Sequence, residues 1–160
     1  MSYLAKYRRY LNGFIQRHKQ SDPGLRMPTK WGFHAYGDVK DNEKGIRPQN
    51  GTAYFSRGIP SGGALWFSEV GSRVDTDQAG STPAHRIPRN TAATQKSEVC
   101  FLFTLAAYYH VERLYYYHYW EPDSVKARDG FDAGLAEPTG NFDLIGPRRP
   151  AYDAVQARGC

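Results

Sequence analysis

Three short aromatic runs constrain this chain more than anything else in it: KWGFHAYGD (residues 30–38), ALWFSEV (64–70) and LYYYHYW (114–120). Each is short, apolar and rich in residues that suit a strand. Between them lie segments with helical periodicity. Ser2 can cap a helix running from about Tyr3 to Lys19, in which Leu4, Tyr7, Leu11, Phe14 and Ile15 form one apolar stripe. Asp22-Pro23-Gly24 ends it in a turn. A short helical piece is expected around Thr52 to Arg57. A longer one is expected from Thr91 to His110, with Val99, Phe101, Leu102, Leu105 and Ala106 inward, and a last one from about Pro150. The expected order is α–β–α–β–α–β–α, and strands separated by helices make parallel sheets with right-handed crossovers.

The middle run carries a tension. Ala64 to Phe67 read as a strand buried on both faces, yet the run meets a carboxylate, Glu69, just before Gly71. An ionised Glu there is costly unless the charge is used. The other runs also end in reactive or ligand-binding groups: His34 and Tyr36 in the first, His118, Tyr119 and Trp120 in the third. No glycine-rich phosphate loop follows a strand, since Gly62-Gly63 precedes one, which argues against a nucleotide-binding doubly wound sheet. In a (β/α)8 barrel the active site is assembled from the C-terminal strand ends. Three strands do not close a barrel, and about 250 residues is typical of that fold. An open three-stranded sheet would leave two unpaired edges and an uncovered inner face. The expected fold is therefore α/β, a partial (β/α)8 TIM barrel with about the last three βα units. Residues 1–160 are expected to be the C-terminal portion of one barrel domain, a piece of a longer chain or a half that needs a partner.

Composition narrows the function classes. Twelve Tyr, eight Phe and three Trp are many for 160 residues. Tyr offers an apolar face with a polar tip, which suits a wet ligand cleft, although any single ring is more often core or half-buried surface. Part of the net charge of +5 sits in Lys6, Arg8, Arg9, Arg17 and Lys19, on the solvated side of the first helix. Other cationic residues are spread over loops such as Arg86 to Arg89 and Arg148-Arg149. No long basic block occurs, so a nucleic-acid partner is not expected. Cys100 and Cys160 make neither a disulfide framework nor a metal site, and His34, His85, His110 and His118 lack ligand spacing. No apolar run is long enough to span a membrane, and Met1 leads into an amphipathic segment and not a signal peptide.

With those residues placed, the chain resembles the C-terminal half of clan A glycoside hydrolases, the retaining (β/α)8 enzymes that include cellulases, mannanases and xylosidases. Phe33-His34-Ala35-Tyr36 is similar to their sixth strand, which ends in His and Tyr. Trp66-Phe67-Ser68-Glu69-Val70-Gly71 is similar to their seventh, where Glu is the nucleophile. Tyr115 to Trp120 resembles the eighth, whose terminal Trp floors the sugar site. The tail Phe131-Asp132-Ala133-Gly134-Leu135, then Arg149-Pro150-Ala151-Tyr152, resembles the D-[SA]-G-L … R-P-A-Y ending of many such barrels. The resemblance covers roughly residues 1 to 155.

What the resemblance implies is a glycosidase acting on an oligo- or polysaccharide, with Glu69 as nucleophile and Tyr36 as the hydrogen-bond donor beside it. His34 would bind a sugar hydroxyl, and Trp120 would stack on a pyranose. His118 is the weaker substrate contact, because alternate strand residues point away from a barrel's centre. The plainer alternatives are a Glu69 paired with Arg73 or Arg113 and a Trp120 that is simply core. Asp132 either caps a loop over the site or stabilises its own turn with Gly134, and the turn is favoured. Retaining hydrolysis needs two carboxyl groups about 5 Å apart. The family places its acid/base after an Asn at the end of the fourth strand. The only Asn-Glu here, Asn42-Glu43, sits in a hydrophilic loop with no strand directly before it and reads as a solvated turn. General acid–base help is commonly worth about 10²–10⁴-fold. A chain with Glu69 and no acid could attack a sugar bearing an excellent leaving group, yet be nearly inert on natural glycosides. The mechanism uses only carboxylates, so no metal or organic cofactor is implied. The implied partners are a carbohydrate substrate and the missing N-terminal barrel half or a second copy, and the implied parent enzyme is secreted. A non-catalytic carbohydrate-binding half-barrel would keep Trp120 and not need Glu69; an aromatic-rich nucleic-acid binder is the third reading.

Overall fold

The computed structural model describes residues 3–74, 91–120, 132–137, 139 and 144–160. Its elements run α1 (Tyr3–Ser21), β1 (Lys30–Phe33), α2 (Tyr36–Lys40), a 3₁₀ turn (Asn42–Lys44), α3 (Gly51–Gly58), β2 (Ala64–Val70), α4 (Ala92–Tyr108), β3 (Arg113–Tyr116) and α5 (Pro150–Ala157). The fold is α/β, with an open three-stranded parallel sheet in the order β1-β2-β3 alternating with helices. The chain divides into two compact units, Met1–Glu69 with Leu105–Tyr115, and Val70–Thr104 with Tyr116–Cys160.

In the first unit, β1 and β2 pair so that Trp31 lies opposite Leu65 and Phe33 opposite Phe67. All four are buried, so the register aligns two apolar rows on one face of the sheet. Helices α1 and α3 supply the cover. Tyr7 meets Phe33 edge-on at 5.8 Å, Phe14 meets Trp31 at 5.8 Å, and Phe33 stacks on Phe55 at 4.9 Å. Gly58 lets α3 approach α1, because a Cβ at that position would collide with Leu11 Cδ2. The other face is not covered in the same way: Lys30, Gly32 and Ser68 are exposed and Trp66 is half-buried. The Lys30 ammonium and the Trp66 indole both donate to Glu112, at 2.9 and 2.8 Å. Together they hold its carboxyl below the usual carboxylate range, the indole bond being the larger cause. Glu112 also donates its amide to the Leu65 carbonyl at 2.9 Å, which leads the chain into β3. Burial of Ala64 to Phe67 on both faces is thus corrected: Leu65 and Phe67 are buried, while Ala64 and Trp66 on the alternate face are only half-buried.

A second feature of this unit lies outside the sheet. The first backbone N–H groups of α3 have no cap from Asn50; they are satisfied by Asp38 of α2. Its carboxylate accepts from the Gly51 amide (2.8 Å), the Thr52 amide (2.7 Å) and the Thr52 hydroxyl (2.6 Å). Two short helices are thereby tied together at a helix start, where orphan donors favour a negative charge.

The second unit is built on Val99, Leu135, Ala151 and Ala154, with Phe103, Tyr116, Tyr152 and Val155 packed against them. The expectation that Cys100 and Cys160 make no disulfide framework is corrected: they pair in a disulfide across a Cα–Cα distance of 5.4 Å, joining α4 to the residues after α5. Two strand ends differ from expectation. β1 stops at Phe33 and not near Asp38, because Tyr36 already opens α2; β3 stops at Tyr116 and not at Trp120. The Tyr117 amide still donates to the Val70 carbonyl at 2.8 Å, after which the chain leaves the sheet. The Tyr117–His118 peptide is cis. Gly71 is needed where these segments meet, since a Cβ there would strike the Tyr117 carbonyl oxygen.

Candidate active site

β2 delivers Glu69 as its next-to-last residue, half-buried, beyond the buried Phe67. β1 ends at Phe33, and two residues later the first residue of α2, Tyr36, turns its ring toward the same strand end. The Tyr36 hydroxyl donates to Glu69 Oε1 at 2.9 Å. A phenol aimed at a carboxylate is among the stronger neutral-donor bonds and fixes the carboxylate plane. His34 is exposed, and its ring lies edge-on to Tyr36 with centroids 6.4 Å apart. The first unit therefore brings together Glu69, Tyr36 and His34 of the expected residues.

Trp120 and His118 belong to the second unit, beyond the end of β3, and both are half-buried. His118 lies edge-on to Tyr117, with centroids 4.3 Å apart. Next to Trp120, the Tyr119 carbonyl accepts the Leu135 amide at 2.9 Å and the Tyr119 ring meets Tyr152 at 6.0 Å. Arg148 stacks over that same Tyr152 ring at 4.2 Å.

Downstream of β2 the chain is held by a buried polar network that the sequence reading did not anticipate. Gln95 of α4 donates through Nε2 to the carbonyls of Ser72 (3.1 Å) and Gly134 (2.9 Å). The Ser72 hydroxyl donates to Glu98 at 2.6 Å. Tyr116 donates to the Ala133 carbonyl at 3.2 Å, and its buried phenol is pushed up to about 12, chiefly by loss of water. Asp132 accepts the Gly134 amide at 3.0 Å, so the expected turn forms. It also meets Arg149 through two bonds of 2.9 and 2.6 Å, with both side chains 1% exposed. Burial works against the Arg149 charge, but Asp132 and Glu137 outweigh it and raise the guanidinium pKa further. The signal for Gln95 and Glu98 was available: both fall on the α4 stripe of Val99, Leu102 and Leu105, and a polar residue on a buried stripe needs a buried partner.

Glu43 of the Asn42-Glu43 pair is exposed at the 3₁₀ turn. Arg86 to Arg89, His85 and the loop around them lie outside the described residues, as does Phe131. Among the described residues, no three His, Cys, Asp or Glu side chains are placed to hold a metal ion, and no helix is long and apolar enough to cross a membrane. Comparison with protein-family models, with curated proteins and with solved structures finds no match to the chain.

Proposed function

We propose that the chain is the C-terminal part of a retaining glycoside hydrolase, with its three strands forming the last three of a (β/α)8 barrel and Glu69 as nucleophile. The observation that carries the reading is the 2.9 Å bond from Tyr36 to Glu69, made at the C-terminal end of β2 by a residue that follows β1. A carboxylate held at a strand end by a phenol suits attack on an anomeric carbon. With Oε1 engaged, Oε2 would attack, forming the glycosyl ester as the leaving oxygen departs. Water then cleaves the ester and releases the sugar. His34 would bind a sugar hydroxyl, Trp120 would be the stacking platform and His118 a lesser contact, on the strength of the resemblance. The acid/base would come, with the remaining strands, from the N-terminal barrel half or a second copy.

The test needs no acid. The purified chain is incubated with 2-fluoro glycosides bearing dinitrophenolate leaving groups, its intact mass measured and any adduct mapped by digestion. One fluorosugar on Glu69, absent from Glu69→Gln, is the expected result. No adduct from a chain shown to be folded by circular dichroism overturns the reading. The second reading, a non-catalytic carbohydrate-binding half-barrel, is favoured by Tyr117 and Tyr119, which stand 42% and 44% exposed close to Trp120 in the chain. Sugar binding that survives Glu69→Ala without any labelling would select it.

A further inference from the structure

All of the chain's excess charge is on α1. There are 21 Lys and Arg against 16 Asp and Glu. Helix α1 holds five of the cationic residues and no acidic one, so the remainder of the chain is balanced at sixteen against sixteen. Arg8, Arg9, Arg17 and Lys19 are exposed. Among the described residues none of these four side chains forms an ion pair. Between them Tyr10 is 74% exposed, against 38% for Tyr7 and Phe14.

The opposite side of α1 is already occupied. Leu11 is buried at Gly58 of α3, and Phe14 meets Trp31. The helix is therefore a fixed rail that cannot roll its apolar face into a lipid surface, which an interfacial helix must do. At about 100° and 1.5 Å per residue, Arg8 and Lys19 fall on one edge of the solvated half of the helix and Tyr10 and Arg17 on the other, with Arg9 between them. Roughly 14 Å along the axis separates Arg8–Arg9 from Arg17–Lys19. Guanidinium forks match planar carboxylates bidentately, and an exposed Tyr ring gives a pyranose an apolar face to lie on.

We propose that the solvated half of α1 docks an acidic polysaccharide running obliquely across it, with uronate carboxylates on the cations Arg8, Arg9, Arg17 and Lys19 and a sugar ring against Tyr10, beside Arg17. The choice of a sugar polymer among polyanions rests on the glycosidase reading; the charge match does not. A single-stranded nucleic acid would use the same charges, but such strands are held on several stacking rings in succession, and among the described rings of α1 only Tyr10 is more than half exposed.

The experiment is affinity electrophoresis and calorimetry of the full chain with polygalacturonate, its methyl ester, dextran and poly(U), at low and high salt. Polygalacturonate should bind, with the methyl ester and dextran much weaker. Replacing Arg8, Arg9, Arg17 and Lys19 together by Gln should weaken binding roughly tenfold or more, since exposed charge pairs contribute a fraction of a kcal/mol each and 1.4 kcal/mol is tenfold. Tyr10→Ala should weaken it several-fold without changing the salt dependence. Equal binding of the methyl ester, unchanged binding by the folded quadruple variant, or tighter binding of poly(U) would each overturn the proposal. The ester comparison uses the unaltered chain, so it decides the matter even if the variant does not fold. Binding of polygalacturonate without fluorosugar labelling of Glu69 would sink the catalytic reading alone, and labelling without binding would sink the docking surface alone.

Discussion

Tyr36 acts on Glu69 through its hydroxyl, and Tyr36→Phe removes that bond while keeping the ring. A hydrogen bond to a charged acceptor is worth more than a neutral one, and its loss should slow fluorosugar labelling of Glu69 by about tenfold. Labelling rates of the two proteins, compared at one substrate concentration, test this; an unchanged rate would remove Tyr36 from the site. Tyr116 offers a different test. Burial raises its phenol from 10.0 to about 12, so the neutral ring stabilises the fold fully below pH 10. That contribution, roughly 3 kcal/mol, is lost as pH rises through the folded value. Urea midpoints should therefore fall between pH 10 and 12, and Tyr116→Phe should flatten the fall.

At the scale of elements, the informative case is α3. Its eight residues, GTAYFSRG, begin with Gly and place no acid in the first turn, so its start depends on Asp38 thirteen residues earlier than Gly51. Asp38→Ala leaves three donors without their acceptor and should cost about 2 kcal/mol. Asp38→Asn, which keeps one acceptor oxygen, should recover part of it. Urea unfolding followed by circular dichroism measures both, and a wild-type midpoint for Asp38→Ala would mean that water replaces the carboxylate. No local pattern marks Asp38 as a cap, because the helix it serves comes after an intervening turn. The helix positions themselves were legible from apolar spacing: α1, α4 and α5 begin within a residue of where the stripe and Pro150 put them. β2 was legible too, to its last residue. The ends of β1 and β3 were not, since aromatic residues beyond Phe33 and Tyr116 look strand-like in sequence while the chain has already turned away.

At the scale of the molecule, one covalent bond joins two residues of the second unit that stand sixty apart in the chain, Cys100 and Cys160. Closing a loop of that length restricts the unfolded chain by about 4 kcal/mol in the chain-entropy account. Reduction, or replacement of both cysteines by Ser, should lower the melting temperature accordingly, and thermal melts with and without reductant are the measurement. A shift near zero would mean that strain in the folded state offsets the entropy. Two cysteines sixty residues apart do not declare a pairing in sequence. Nor do Asp132 and Arg149, although both stand in the tail motifs that prompted the resemblance; only folding shows that they meet, buried, through two hydrogen bonds.

The amino-acid order alone determined the alternation of helices and strands, because hydrophobic periodicity is a local property that each segment carries with it. It also placed Glu69 at the end of β2, though not the ends of β1 and β3. What only the tertiary structure decided is which of these groups touch. The register of β1 on β2, the turn of Tyr36 into α2, the capping of α3 by Asp38 and the anchoring of Ser72 by Gln95 all join residues far apart in the chain. Such contacts are settled by how whole faces bury against one another, and burial is a property of the assembled fold and not of any window of sequence.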